Sequence, residues 1–236
     1  MNVRDWLHVE DHVRALKSYN IGARAERCNA AVVERICDLL DGRRPRELGR
    51  SYSHLIAFVP DRETDAPAPL NVYGASKLAG EIAVAAASPR HLILRTSWVY
   101  SSFGTNFVKT MLRLASARKE IAVVADQRGN PSSALDIAAA VLRAAVAMGE
   151  GGAYGTYHLA GSGITSWADF ARHVFSSSRA RGGPWAEVRD ITAAEFPVQA
   201  PRPLNTQLST TKFAAAFGWT MPHWPRSLDE VVGRIF

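Results

Sequence analysis

Between residues 73 and 176 the chain takes turns between two hydrophobic periods. Short, nearly continuous apolar runs, HLILRT at 91–96, IAVV at 121–124 and YGTYHL at 154–159, alternate with segments of helical spacing at 73–87, 107–117, 133–148 and 166–176. A continuous apolar run of four to eight residues fits a strand covered on both faces. Strands that alternate with helices are joined by crossovers rather than hairpins. The pattern predicts an α/β fold with parallel strands. Helical spacing recurs at 29–41, 210–217 and 227–235, HLIAFV at 54–59 has the look of a further strand, and Asp61–Pro69 is polar and proline-rich, as loops are. There is no internal repeat.

The length, 236 residues, suits one large domain or two small ones. No apolar run approaches the roughly 18 residues of a membrane helix, and the first twelve residues are too charged for a secretory leader, so the expected compartment is the cytoplasm, with no membrane partner. The two cysteines, Cys28 and Cys37, have neither disulfide-framework nor zinc-ligand spacing. The net charge is +6, from 28 basic residues that are mostly Arg. A basic surface suits phosphate, but no nucleic-acid motif accompanies it, which favours an anionic small ligand over nucleic acid.

Three motifs can carry chemistry. In Tyr73–Gly74–Ala75–Ser76–Lys77 the phenol and the ammonium stand four apart, on one face of the predicted helix. A phenol near pKa 10 is a poor proton donor at neutral pH, and a neighbouring ammonium stabilises its phenolate. The pair is suited to protonate a carbonyl oxygen while hydride reaches the carbon. Chance alone supplies about 0.13 such pairs in this composition, so the spacing by itself is weak. Its setting, after a proline loop and before an apolar strand, puts it where α/β folds bind ligands. The second motif, Gly161–Ser162–Gly163–Ile164–Thr165–Ser166, follows a strand and precedes a helix like a dinucleotide loop, but its third small position is Ser and the acidic residue, Asp190, comes late. The third, His8 and His12, has zinc-like spacing without the Glu or a third ligand, and fits an acidic helix start better.

Around the Tyr–Lys pair the chain resembles dTDP-4-dehydrorhamnose reductases, a branch of the extended short-chain dehydrogenase/reductase family. The resemblance rests on ETDAPAPLNVYGASKLAGE (63–81), LRTSWVY (94–100), GTNFVKTMLRLA (104–115), VVADQRGNPSS (123–133), YHLAGSGITSWADFA (157–171) and PRPLNTQLSTTKF (201–213), in that order. It implies reduction of the C4 ketone of dTDP-4-dehydro-L-rhamnose by NADPH or NADH, in dTDP-rhamnose and cell-surface polysaccharide synthesis. Tyr73 would be the proton donor and Lys77 its partner, both touching cofactor, with Thr96 and Ser97 beside the nicotinamide. Trp98 and Asn106 would face the sugar. Trp98 is equally readable as a core aromatic, and Asn106 as a helix N-cap. No metal-ligand set is expected among these residues, and the resemblance admits a homodimer.

Residues 3–62 resemble instead a C-terminal segment of dTDP-glucose 4,6-dehydratase, through VRDWLHVEDHVRAL (3–16), YNIGARAERCNAAVVERICDLLD (19–41) and LIAFVPDR (55–62). The expected division is therefore 1–62, dehydratase-like, and 63–236, a reductase-like catalytic and substrate-binding region. Before Tyr73 only Gly22, Gly42 and Gly49 occur, with no glycine-rich phosphate turn. The expected fold is an incomplete Rossmann-like parallel sheet, its first βαβ units missing, with a small α/β substrate domain. Three readings compete: a reductase whose catalysis is in question without the cofactor-binding half, a non-catalytic dTDP-sugar-binding remnant, and a dehydratase/reductase fusion fragment.

Overall fold

The computed structural model describes Asp38 and residues 60–149, 151, 153–196 and 203–236. The chain divides into two compact units, Met1–Val59 and Pro60–Phe236. In the first, Asp38 is helical and exposed, within the helix expected at 29–41. The expected strand at 54–59, the dehydratase-like pieces before residue 60, the His8/His12 pair and both cysteines lie outside the described residues.

In the second unit, helix α1 (Val72–Ala87) starts at Asn71, whose side-chain oxygen accepts the Gly74 amide at 2.8 Å. This satisfies one of the amides that a helix start leaves without a partner. The helix stops at Ser88, which is extended, because a residue before proline (here Pro89) is crowded out of the helical region. Strands β1 (Leu92–Arg95) and β2 (Val99–Tyr100), helix α2 (Phe107–Ala115), strands β3 (Glu120–Val124), β4 (Arg128–Gly129) and β5 (Ser132–Ser133), and helix α3 (Ala134–Gly149) follow. Then come β6 (Gly155–His158), β7 (Thr165–Ser166), α4 (Trp167–Arg179), β8 (Glu187–Ile191), a single 3-10 turn at Ala193–Glu195, β9 (Asn205–Thr206), α5 (Thr211–Phe217) and α6 (Trp224–Gly233).

The expected α/β architecture with parallel strands is present. β1 pairs in parallel with β6, from Leu92 opposite Gly155 to Arg95 opposite His158. β2 pairs in parallel with β5, and β3 with β8. β4 lies between β9, parallel, and β7, antiparallel. The strands expected at 91–96, 121–124 and 154–159 are found within a residue or two of those bounds. The two-residue strands were not legible, since a pairing that short carries no period.

Two apolar cores hold these elements. One gathers Val108, Met111 and Leu112 of α2, Ile121 and Val123 of β3, Phe170 and Val174 of α4, and Leu228, Val231 and Val232 of α6. The other packs Ala140 and Ala144 of α3 and Phe213 and Phe217 of α5 against Tyr157 and Leu159. Small alanines on α3 let it lie close to the β1–β6 pair. By contrast, α1 has no buried residue along its sixteen positions.

Candidate functional site

In open α/β sheets, ligands bind beyond the carboxyl ends of the strands. β1 and β6 end side by side, Arg95 opposite His158. Thr96, exposed, and Ser97 and Trp98, half-buried, come immediately after that edge. The Ser97 hydroxyl donates to the Asn130 carbonyl at 3.0 Å. Asn130, 6% exposed, ties two more loops to the same place: its Nδ2 donates to the Gly163 carbonyl at 2.8 Å, and its Oδ1 accepts the Leu208 amide at 3.0 Å. Sequence reasoning quoted the segment around Asn130 without assigning that residue a role. A buried amide that bridges three loops leaves no local spacing signal.

Helix α1 carries Tyr73 and Lys77, and one of its side chains is tied to this edge. Tyr73, Lys77 and Glu81 recur every four residues and share one face. At the third position, Glu81 takes a bidentate ion pair from Arg95, with Nε at 3.0 Å from both oxygens and the second guanidinium nitrogen at 2.6 Å from Oε2. At about 1.5 Å per helical residue, Lys77 and Tyr73 stand about one and two turns nearer the helix start than Glu81. The Lys77 ammonium is 5.4 Å from the centre of the Tyr73 ring, and Tyr73 is 72% exposed. Among the described residues neither the Tyr73 hydroxyl nor the Lys77 ammonium has a hydrogen-bond or ion-pair partner. Both are thus available to something outside the chain.

Trp98 is the one non-glycine residue with positive φ, +48°, among those described. Its indole stacks on that of Trp167, the first residue of α4, with centroids 3.5 Å apart and planes 8° from parallel. Phe107 supports Trp167 in turn, centroid to centroid 4.6 Å. Gly129 lies so close that a Cβ there would come within 2.6–2.7 Å of the Cε2 and Nε1 of Trp98. Asn106 caps α2: its Oδ1 accepts the Lys109 amide at 3.3 Å, and its Nδ2 donates to the carbonyls of Ser101 and Phe103. Its two Nδ2 hydrogens are both used in this way, while Oδ1 keeps one acceptor site.

The loop leading into α1 is strapped across the ends of β6 and β9. The Asp61 amide donates to the Gln207 carbonyl and the Asp61 carbonyl accepts from the Ser209 amide, both at 2.8 Å. Glu63 accepts the His158 amide at 2.7 Å, and His158 Nδ1 is 3.1 Å from the Asp61 carbonyl. Burial pushes the His158 imidazole below its ordinary pKa; Glu63 and Asp61 draw it up and Arg95 draws it further down.

Other candidates fall away. In Gly161–Gly163, a Cβ on Gly161 would collide with the Pro131 carbonyl, and Gly163, at φ +89°, has the His223 ring where its Cβ would be. These glycines serve close packing, so the loop is not an open cradle for phosphate. In a groove of about 450 Å³ beside Arg172, Arg179 and Trp185 both arginines are engaged: Arg172 pairs with Asp169 and Asp190, and Arg179 lies 4.1 Å over the Trp185 ring. No cluster of metal-ligating residues occurs, and no helix is long and apolar enough to cross a membrane, among the described residues.

Comparison with known proteins places these features in a lineage. A family profile described as the RmlD substrate binding domain matches residues 9–235. The dTDP-4-dehydrorhamnose reductase of Sinorhizobium fredii is 49% identical over 177 residues, covering 74% of this chain and 60% of that protein. Among solved structures, the dTDP-4-dehydrorhamnose reductase from Bacillus anthracis in complex with NADP matches with a TM-score of 0.67 at 36% identity, over 73% of this chain and 59% of that one. The ortholog from Clostridium acetobutylicum matches with a TM-score of 0.70 at 36% identity, over 76% and 61%. The chain spans about three-fifths of the length of these relatives.

Proposed function

From the chain's membership of the RmlD substrate binding domain family, which its match over residues 9–235 establishes, we propose that it acts as a dTDP-4-dehydrorhamnose reductase, turning the C4 ketone of dTDP-4-dehydro-L-rhamnose into the alcohol of dTDP-L-rhamnose. The observation that carries this is the Tyr73–Lys77 pair, without other partners, on the α1 face that Glu81 and Arg95 hold against the end of β1. The residues fit the ribose and nicotinamide end of NADPH or NADH: Lys77 offers an ammonium to ribose hydroxyls, and Thr96 and Ser97 follow the strand end to which the Glu81–Arg95 pair ties α1. For the diphosphate end, no open glycine cradle occurs among the described residues.

When bound, the cofactor supplies hydride to C4. Tyr73 gives its hydroxyl proton to the ketone oxygen, so that carbon gains hydride and oxygen gains a proton. Lys77 steadies the phenolate that remains until solvent returns a proton. Trp98 bounds the sugar on the strand side, and Asn106 shapes the loop that faces it. The partners of this reading are a dTDP-sugar and a second copy of the chain.

The test is NADPH consumption with dTDP-4-dehydro-L-rhamnose. Tyr73→Phe is expected to lower turnover by a factor of about 10² or more, the usual worth of a positioned general acid. Equal rates for the variant and the parent would end this reading. One alternative reading is a non-catalytic dTDP-sugar-binding module. Saturable dTDP binding in calorimetry, with no NADPH binding under the same conditions, would select it.

A further inference from the structure

Trp98 holds a backbone conformation that bulky residues avoid, and the residues around it leave it no other. The Ser97 hydroxyl is tied to the Asn130 carbonyl at 3.0 Å, and the Trp98 carbonyl accepts the Ser132 amide at 3.1 Å. The backbone is thus fastened on both sides of the residue with φ +48°. A strained residue persists only where its surroundings over-determine it, and such residues cluster at functional sites. The side chain is over-determined as well. Trp167 covers one indole face, with centroids 3.5 Å apart and planes 8° from parallel, a face-to-face arrangement tighter than the offset stacking that free aromatic pairs prefer. Gly129, buried in β4, lets the strand approach the Nε1–Cε2 bond of the indole. Trp167 is itself braced, by Phe107 at 4.6 Å and by its place as the first residue of α4, behind the Ser166 cap.

We infer that Trp167 is a positioning residue: it holds the Trp98 indole in the one orientation that bounds the sugar-binding end of the site, and Gly129 keeps the space that orientation needs. This rests on the reading of Trp98 as a sugar-facing residue. Trp167 belongs to a helix of the apolar core, yet its indole meets Trp98, at the ligand edge of the sheet. A core residue would be indifferent to which sugar is bound. A positioning residue is not.

The experiment measures, by calorimetry on the full chain, how much more tightly dTDP-L-rhamnose binds than dTDP. That ratio isolates the sugar's contribution from the nucleotide's. Far-ultraviolet circular dichroism reports the couplet of two stacked indoles independently of any ligand. Trp167→Ala is expected to abolish the couplet and to cut the ratio by up to about tenfold, the scale of one aromatic stack, while leaving dTDP affinity unchanged. Trp167→Phe, which keeps a ring in place, is expected to restore most of the ratio without the couplet. Gly129→Ala, whose methyl would meet both the Thr206 hydroxyl and the indole edge, the latter at 2.6 Å, is expected to lower the ratio with Trp167 intact. If Trp167→Ala folds, loses the couplet and keeps the parent's ratio, the positioning role is overturned while the reading of Trp98 stands. If Trp98→Ala also keeps the ratio, the reading of Trp98 fails, and the positioning role fails with it. If Trp167→Ala does not fold, the Phe and Gly129 variants decide: a parent-like ratio in Gly129→Ala together with a lost one in Trp167→Phe overturns the inference.

Discussion

Tyr73 and Lys77 were legible as residues because a helix turn puts positions four apart on one face, so sequence spacing already is geometry. Trp98 was legible only as a choice between sugar platform and core aromatic. In the structure one indole face is packed on Trp167, and the residue stands just past the end of β1. Asn106 illustrates how a polar side chain near a site can be occupied by structure. With its oxygen on the Lys109 amide and its nitrogen on two carbonyls, it holds the turn from Ser101 into α2. Asn106→Ala is therefore expected to cost about 1 kcal/mol in a urea melt, the ordinary worth of a helix cap, with dTDP affinity unchanged in calorimetry. A loss of affinity without a loss of stability would restore the direct substrate role that the resemblance implies.

At the scale of elements, the long periodic segments were readable and the short pairings were not. The helices at 72–87, 107–115, 134–149 and 167–179 follow their apolar spacing closely. Their ends were marked by Asn71, Asn106 and Ser166, each accepting an amide of the first turn. The site, however, is assembled from two-residue strands, β2, β4, β5, β7 and β9, whose register depends on loops meeting at Asn130 and Gly129. Those contacts join residues 33 to 78 positions apart, as in Asn130 to Gly163 and Asn130 to Leu208, and no local pattern announces them. The glycines at 161 and 163 mimic a dinucleotide loop in sequence because close packing and phosphate approach both require a missing side chain. Only the neighbours, Pro131 and His223, tell the two apart.

At the scale of the whole molecule, the strap across β6 makes stability depend on pH. His158 is 2% exposed, and its folded pKa lies below the ordinary value because burial disfavours the charged ring. The unfolded chain therefore takes up a proton at a pH where the folded chain does not. That binding favours unfolding, so stability falls as pH drops below about 6.5 toward the lower folded value, and is unaffected by this group above it. A melting temperature that declines between about pH 7 and pH 5, and declines less in His158→Gln, is the expected outcome. An identical slope in the variant would assign the loss to other groups. The largest consequence comes from α1, which has no buried residue and is held to the unit by a loop strap and one ion pair. Its amides are expected to exchange with solvent deuterium well before those of α4, whose inner face is packed with Phe170, Val174 and Phe175. Warming would then release the segment that carries Tyr73 and Lys77 while the hydrophobic centre is still intact, so that melting is expected in two separate transitions.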